Sequence, residues 1–165
     1  TLSHPSSFLT AMSAELTTLL SAMKVGDGNA PDFVAAAKKA PKSIGDMVAK
    51  LSEQAALSGK ADAATATNAL KAMEALANEC IVTAEAALTN ALAVMLTAAS
   101  NKDKNVRAAA TAAVQALASK MSIDNVRACL PHLFANIENS NGHFTRVLTL
   151  NTIAGFSDYA PDQPV

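Results

Sequence analysis

The chain has 165 residues, enough for one ordinary domain with its own core. Its formal net charge of −1 supplies no global field that would draw it to nucleic acid or acidic membranes. Alanine occurs 37 times, aromatics make up 4 % and Trp is absent, so a core must come from close helix contacts filled by Leu, Met and Val. β-branched runs and period-two alternation are missing, which predicts an all-α fold.

Residues 1–7 form a polar lead-in, where Ser6 or Ser7 can cap a first helix carrying Phe8, Leu9, Met12, Leu16, Leu19, Leu20 and Met23. Residues 25–30, VGDGNA, break it with two glycines. Pro31 suits the first position of a short helix running to about Lys39, and Pro41 ends it. Ser43 followed by Asp46 has capping-box spacing, with Asp in place of the usual Glu. The helix behind it buries Ile44, Met47, Val48 and Leu51. Residues 1–58 therefore read as an atypical helical cap, of the kind that closes the end of a repeat array.

Gly59 and Asp62 mark the next stop and start. A helix to about Asn78 carries Ala66, Ala69, Leu70, Met73 and Leu76. After a short turn near Glu79, a second carries Leu88, Leu92, Met95 and Leu96 and ends before Ser100. Asp103 then caps the run NKDKNVRAAATAAVQAL at 101–117. Val106, Ala109, Ala110, Ala113, Val114 and Leu117 recur there at steps of three and four, one apolar stripe with Arg107 at its edge. Ser122 caps a helix carrying Val126, Leu130, Leu133, Phe134 and Ile137, with Pro131 inside it as a bend. NSNG at 139–142 is a turn, and the last helix carries Phe144, Val147, Leu148, Leu150, Ile153 and Phe156. Residues 159–165, with two prolines, read as a frayed tail or linker. Nothing follows to cover the last helix, so further repeats are expected in a longer protein.

The pattern repeats. Sliding 101–117 back by 41 residues places Leu117 on Leu76, Val114 on Met73 and Ala110 on Ala69; sliding it forward by 39 places Arg107 on Arg146 and Leu117 on Phe156. Leu88, Leu92 and Met95 map, 42 residues on, to Leu130, Phe134 and Ile137. Two separate helices thus recur at a period of roughly 40 residues, within the range of HEAT and armadillo arrays. A capping Asp, Val-Arg, an Ala pair and a spaced Leu resemble the second helix of a HEAT repeat. The expected fold is a right-handed α-solenoid of HEAT-like helix pairs over 59–158.

The runs ATNALKAMEALA, TAASNKDKNVRAAA and RACLPHLFANI resemble the amino-terminal HEAT region of translation elongation factor 3. The turn 101–104 and the LPHL at 130–133 carry most of the likeness, which extends over about 61–158. The resemblance implies a cytoplasmic ABC-type ATPase that acts on the ribosome in each elongation cycle and helps deacylated tRNA leave the exit site. It also implies a HEAT arm that docks on ribosomal proteins and rRNA. This chain has no G-x-x-x-x-G-K-[ST] phosphate loop, so it would be the arm and not the ATPase. ATP and Mg are expected only in cassettes elsewhere, with no cofactor in this chain. The alternative is a HEAT scaffold of another class, such as a translational activator of the stress-kinase pathway.

Two basic clusters are candidate contacts for the ribosome: Lys102, Lys104, Arg107, Lys120 and Arg127, and Lys38, Lys39 and Lys42 with Lys50 nearby. Turns of one type line up along one edge of an array, where basic residues can form a ribbon for phosphate or acidic protein. For Arg107 and Arg146 the favoured role is structural, with Arg107 paired to an Asp of a neighbouring repeat. No aromatic residue interleaves with the lysines, which argues against base stacking. His4, His132 and His143 are not at metal spacing, and Cys80 and Cys129 read as buried, reduced thiols. No apolar run approaches the roughly 18 residues of a membrane span, and no secretory leader is visible. The expected molecule is a cytoplasmic monomer that binds neither membrane nor DNA.

Overall fold

The computed structural model describes the backbone of residues 5–23, 29–139 and 142–157, and the side chains of 14–23, 29–138 and 142–156. These residues contain eight α-helices and no strand. The helices are α1 Pro5–Ala22, α2 Ala30–Lys39, α3 Ile44–Ala55, α4 Ala63–Glu79, α5 Ile81–Ala98, α6 Lys104–Ala118, α7 Ile123–Asn139 and α8 His143–Ser157. Short 3-10 turns at Pro41–Ser43 and Lys60–Asp62 lead directly into α3 and α4. The expected glycine break, apart from its last residues, and the expected tail at 159–165 lie outside the described residues.

Local chemistry explains most boundaries. Asp103 caps α6 as its residue type predicts: its carboxylate accepts from the amides of Asn105 at 2.8 Å and Val106 at 3.3 Å. Asp32 in the first turn of α2 and Lys38 and Lys39 in its last complement the helix dipole, and Pro41 prevents its continuation. Three caps differ from expectation. α1 begins at Pro5, so Ser6 and Ser7 lie within its first turn. Ser43 makes no capping bond, because the 3-10 turn runs straight into α3 and leaves no extended residue from which a side chain could reach back. Ser122 gives its carbonyl to Val126 N, while its hydroxyl accepts from the Asn125 side chain at 3.2 Å instead of capping an amide.

The helices stack in two layers. α2, α4, α6 and α8 pack in succession as one layer, and α3, α5 and α7 as the other; α3 pairs with α4, α5 with α6 and α7 with α8. This is an α-solenoid. The largest interface joins α4 to α6, and it is built from small residues. Ala66, Ala69, Ala72 and Ala77 are buried on α4, and Ala109, Ala110 and Ala113 on α6, so the two axes can come close. Every stripe residue expected on α6 is buried. Phe33, Leu51, Leu70, Met73, Leu76, Leu88, Met95 and Leu117 fill the space between layers. The buried amide of Asn68 on α4 donates to the Met23 carbonyl at 2.9 Å, satisfying a group at the end of α1.

The structure corrects two readings. α5 is 18 residues long with a mean hydropathy of 1.5, so one apolar run does reach membrane-spanning length. It nevertheless carries Glu85, Thr89, Asn90 and Thr97, and it packs Leu88, Leu92, Met95 and Leu96 into the core between α3, α4 and α6. On α8 the buried face is Thr145, Leu148, Thr149, Thr152 and Phe156, while Phe144, Val147 and Leu150 are exposed. The threonines can face inward because their hydroxyls are satisfied. Thr149 and Thr152 donate to the carbonyls four residues back at 2.7 and 2.8 Å, and Thr145 donates to the Leu96 carbonyl at 3.0 Å. Phe134 on α7 is likewise exposed, and Cys129 takes a core position beside Val126 and Leu133.

Candidate functional site

Two-layer stacking gives the molecule two edges. Turns within a pair, at 56–62 and 99–103, and the start of α8 at Gly142 lie along one; turns between pairs, at 40–43, Cys80 and 119–122, lie along the other. α6 runs from edge to edge, and its 15 residues span about 22 Å. The sequence cluster of Lys102, Lys104, Arg107, Lys120 and Arg127 is therefore divided. Lys102, Lys104 and Arg107 sit at the within-pair edge. Lys120 and Arg127 sit at the between-pair edge, with Lys38, Lys39 and Lys42.

At the between-pair edge several charges serve the array itself. Lys38 bonds Glu79 at 2.9 Å across 41 residues, and the Lys120 ammonium donates to the Asn78 carbonyl at 2.8 Å across 42. Both spacings equal one repeat, so each cation ties the end of one layer helix to the next. The hydrogen bond to Glu79, and then its charge, holds the Lys38 ammonium above its usual pKa. This pair is exposed and contributes little to stability. The Ser122 amide donates to Glu85. Partial burial pushes the Glu85 carboxyl up, but bonds from the Ser122 amide and hydroxyl and from Asn125 together outweigh it, leaving it below the usual carboxylate range. Lys39, Lys42 and Arg127 are exposed at this edge.

The within-pair edge is built differently. Asn101 accepts from the Asp103 amide through its side chain at 2.9 Å, and Asp103 caps α6. Arg107 turns back over this turn, its Nη1 donating to the carbonyls of Asn101 at 2.9 Å and Lys102 at 2.8 Å. The predicted Asp partner for Arg107 is replaced by these carbonyls and by an aromatic ring. The guanidinium lies 5.2 Å from the ring centroid of Phe144 on the next pair. His143 meets Phe144 edge-on, with centroids 5.8 Å apart and planes at 66°. A bond between the Ser100 and Thr145 hydroxyls fixes the start of α8 against the end of α5. Gly142 permits this approach, since a Cβ there would collide with the Ser100 side chain. No aromatic residue interleaves with the lysines in sequence, yet the fold sets Phe144 against Arg107, which in turn is held by the carbonyls of Asn101 and Lys102. The signal for this contact was Arg107 at 39 residues from Arg146, which aligns the turn 101–104 with the start of α8.

Among the described residues, no group of three His, Cys, Asp or Glu side chains is placed to hold a metal ion. His132 is exposed beside Pro131 on α7. Cys80 and Cys129 are buried free thiols, and burial pushes the Cys129 thiol up in pKa. An open cleft of about 620 Å³ lies between α5 and α7, lined by Thr89, Asn90, Ala93, Asn125, Cys129, His132 and Asn136 among others. None of these forms a nucleophile–base pair of the kind that acyl or phosphoryl transfer needs.

The family described as the EF3 N-terminal HEAT repeat matches residues 16–164. The chain belongs to this family. Elongation factor 3B of Saccharomyces cerevisiae is 34 % identical over 100 residues, which cover 59 % of this chain and 10 % of that protein. The chain thus spans about a tenth of the length of the curated relative it matches. No solved structure matches it significantly. The EF3 HEAT match takes in all eight basic candidates and also residues 16–58, where the sequence likeness is loose.

Proposed function

We propose that the chain is the ribosome-docking arm of an elongation-factor-3-like ATPase. It supports the elongation cycle and exit-site tRNA release by positioning its parent protein. The observation that supports this reading is family membership across nearly the whole chain. The structure is compatible with it in kind: a stack of helix pairs with charged turns along its edges, whose clefts hold no catalytic constellation among the described residues. No phosphate loop occurs in the sequence, so no step through ATP is assigned to these residues. ATP and Mg belong, in this reading, to other parts of the parent protein.

Phosphate contacts come from cations that the fold leaves available. Lys102 and Lys104 flank a turn held rigid by Arg107 and Asp103, so little ordering is lost when they meet a polyanion. Lys39, Lys42 and Arg127 offer a second set at the opposite edge. Lys38 and Lys120 are engaged within the array and contribute mainly to its rigidity. The arm acts as a cytoplasmic monomer in this account.

Co-sedimentation of the chain with ribosomes tests it. The chain is expected to pellet with ribosomes in a salt-dependent way, and Lys102→Glu with Lys104→Glu to weaken pelleting and flatten its salt dependence. If full-length protein with and without this arm pellets equally, the docking assignment fails. An unaltered double variant would remove these two lysines from the contact.

A further inference from the structure

We propose that the turn 101–104 and the start of α8 form a stacking site for an unpaired RNA base. This rests on the docking reading and deepens it, by naming single-stranded RNA as what the within-pair edge takes.

Three observations converge. Phe144 is 58 % exposed although it is a large aromatic side chain, and its position is set by the contacts of neighbouring Thr145 with Ser100 and Leu96. One part of its ring environment is already cationic, with the Arg107 guanidinium at 5.2 Å, and His143 braces its edge. Lys102 and Lys104 belong to the same turn whose carbonyls hold Arg107, so their ammonium groups lie on tethers anchored one guanidinium away from the ring. The one carboxylate of this turn, Asp103, is turned onto the amides of Asn105 and Val106.

The combination selects among polyanions. An acidic peptide would meet the lysines but has no use for an open aromatic face. A paired RNA helix hides its base faces in the stack and presents phosphates and 2′-hydroxyls, which need cations and no ring. A single strand or loop offers both a backbone for Lys102 and Lys104 and a splayed base for Phe144, which accepts any base because every base has a π-face. Stacking beside a guanidinium adds a cation–π component.

The experiment is fluorescence anisotropy with the 165-residue chain, a labelled single-stranded oligoribonucleotide of mixed sequence, and the same strand annealed into duplex. The single strand is expected to bind more tightly than the duplex. Phe144→Leu keeps an apolar side chain of similar size without the π-face. It is expected to weaken single-strand binding about 5- to 150-fold, leave duplex binding and the salt slope unchanged, and, having lost the ring contact with Arg107, lower the melting temperature by no more than about 4 °C. Phe144→Tyr is expected to retain affinity, which separates loss of stacking from any loss of fold. Lys102→Ala with Lys104→Ala is expected to weaken both RNAs and flatten the salt dependence. Duplex binding as tight as single-strand binding overturns the proposal. So does unchanged affinity in Phe144→Leu, or displacement of the RNA by oligoglutamate as readily as by unlabelled RNA. A chain that pellets with ribosomes yet gives any of these results keeps its docking role and loses the stacking site.

Discussion

Ala110→Leu asks whether the α4–α6 seam is set by close approach. Ala110 is fully buried on α6, which packs on the alanine-lined face of α4. If the seam held spare volume, the three added carbons would be buried at a gain of about 2 kcal/mol. The small residues on both helices leave no such volume, and forcing carbons into a filled seam costs about 1–3 kcal/mol. For a chain of this size each kcal/mol moves the melting temperature by about 2–4 °C, so a fall of about 2–12 °C is expected. Ala108→Leu, on the exposed side of the same helix, is the control and should leave the melting temperature nearly unchanged. Thermal unfolding followed by circular dichroism reads both. A melting temperature that rises in Ala110→Leu, or falls equally in the two variants, would mean that close approach does not set the seam.

Two further outcomes follow from the polar contacts. Thr149→Val keeps the shape of a fully buried side chain but removes the oxygen that accepts from the Asn136 amide at 3.0 Å; leaving that partly buried donor unpaired should cost about 1–3 kcal/mol, read by urea denaturation, and Asn136→Ala in the same background should cost much less than it does alone. Glu85 lies below its ordinary range in the folded chain, so its contribution is present above the unfolded value near about 4.3 and is lost as pH falls through the folded value. Glu85→Gln should therefore lose less stability than wild type between about pH 5 and about pH 3, and parallel acid limbs for the two proteins would contradict the assignment.

The helices were legible because alanine, leucine and methionine at helical spacing leave little choice, and the period of roughly 40 residues identified their pairing. Asp103 and the stripe behind it could be read residue by residue, since a cap and its first turn are local. α8 could not. Phe144, Val147 and Leu150 look like core positions until the threonines between them satisfy their own hydroxyls and take the inner face. How the basic residues group in space was not legible for a similar reason. Residues 102 and 120 are close in sequence, yet a helix places them at opposite edges, while Lys38 and Glu79 are far apart in sequence and bonded in space. The partner of Arg107 depends on how α8 is set against α5, which no local pattern encodes. Likewise the apolar length of α5 went unread along the chain, and only its neighbours α3, α4 and α6 show which of its residues are buried.

Docking through the within-pair edge is read by hydrogen exchange of the chain alone and bound to ribosomes. Slowed exchange is expected at the turn 101–104 and the first turn of α8, with the α5–α7 cleft and the helix ends at Lys38 and Lys120 unchanged. Protection centred on the cleft or on those helix ends, with the turn 101–104 exchanging freely, would contradict docking through that edge.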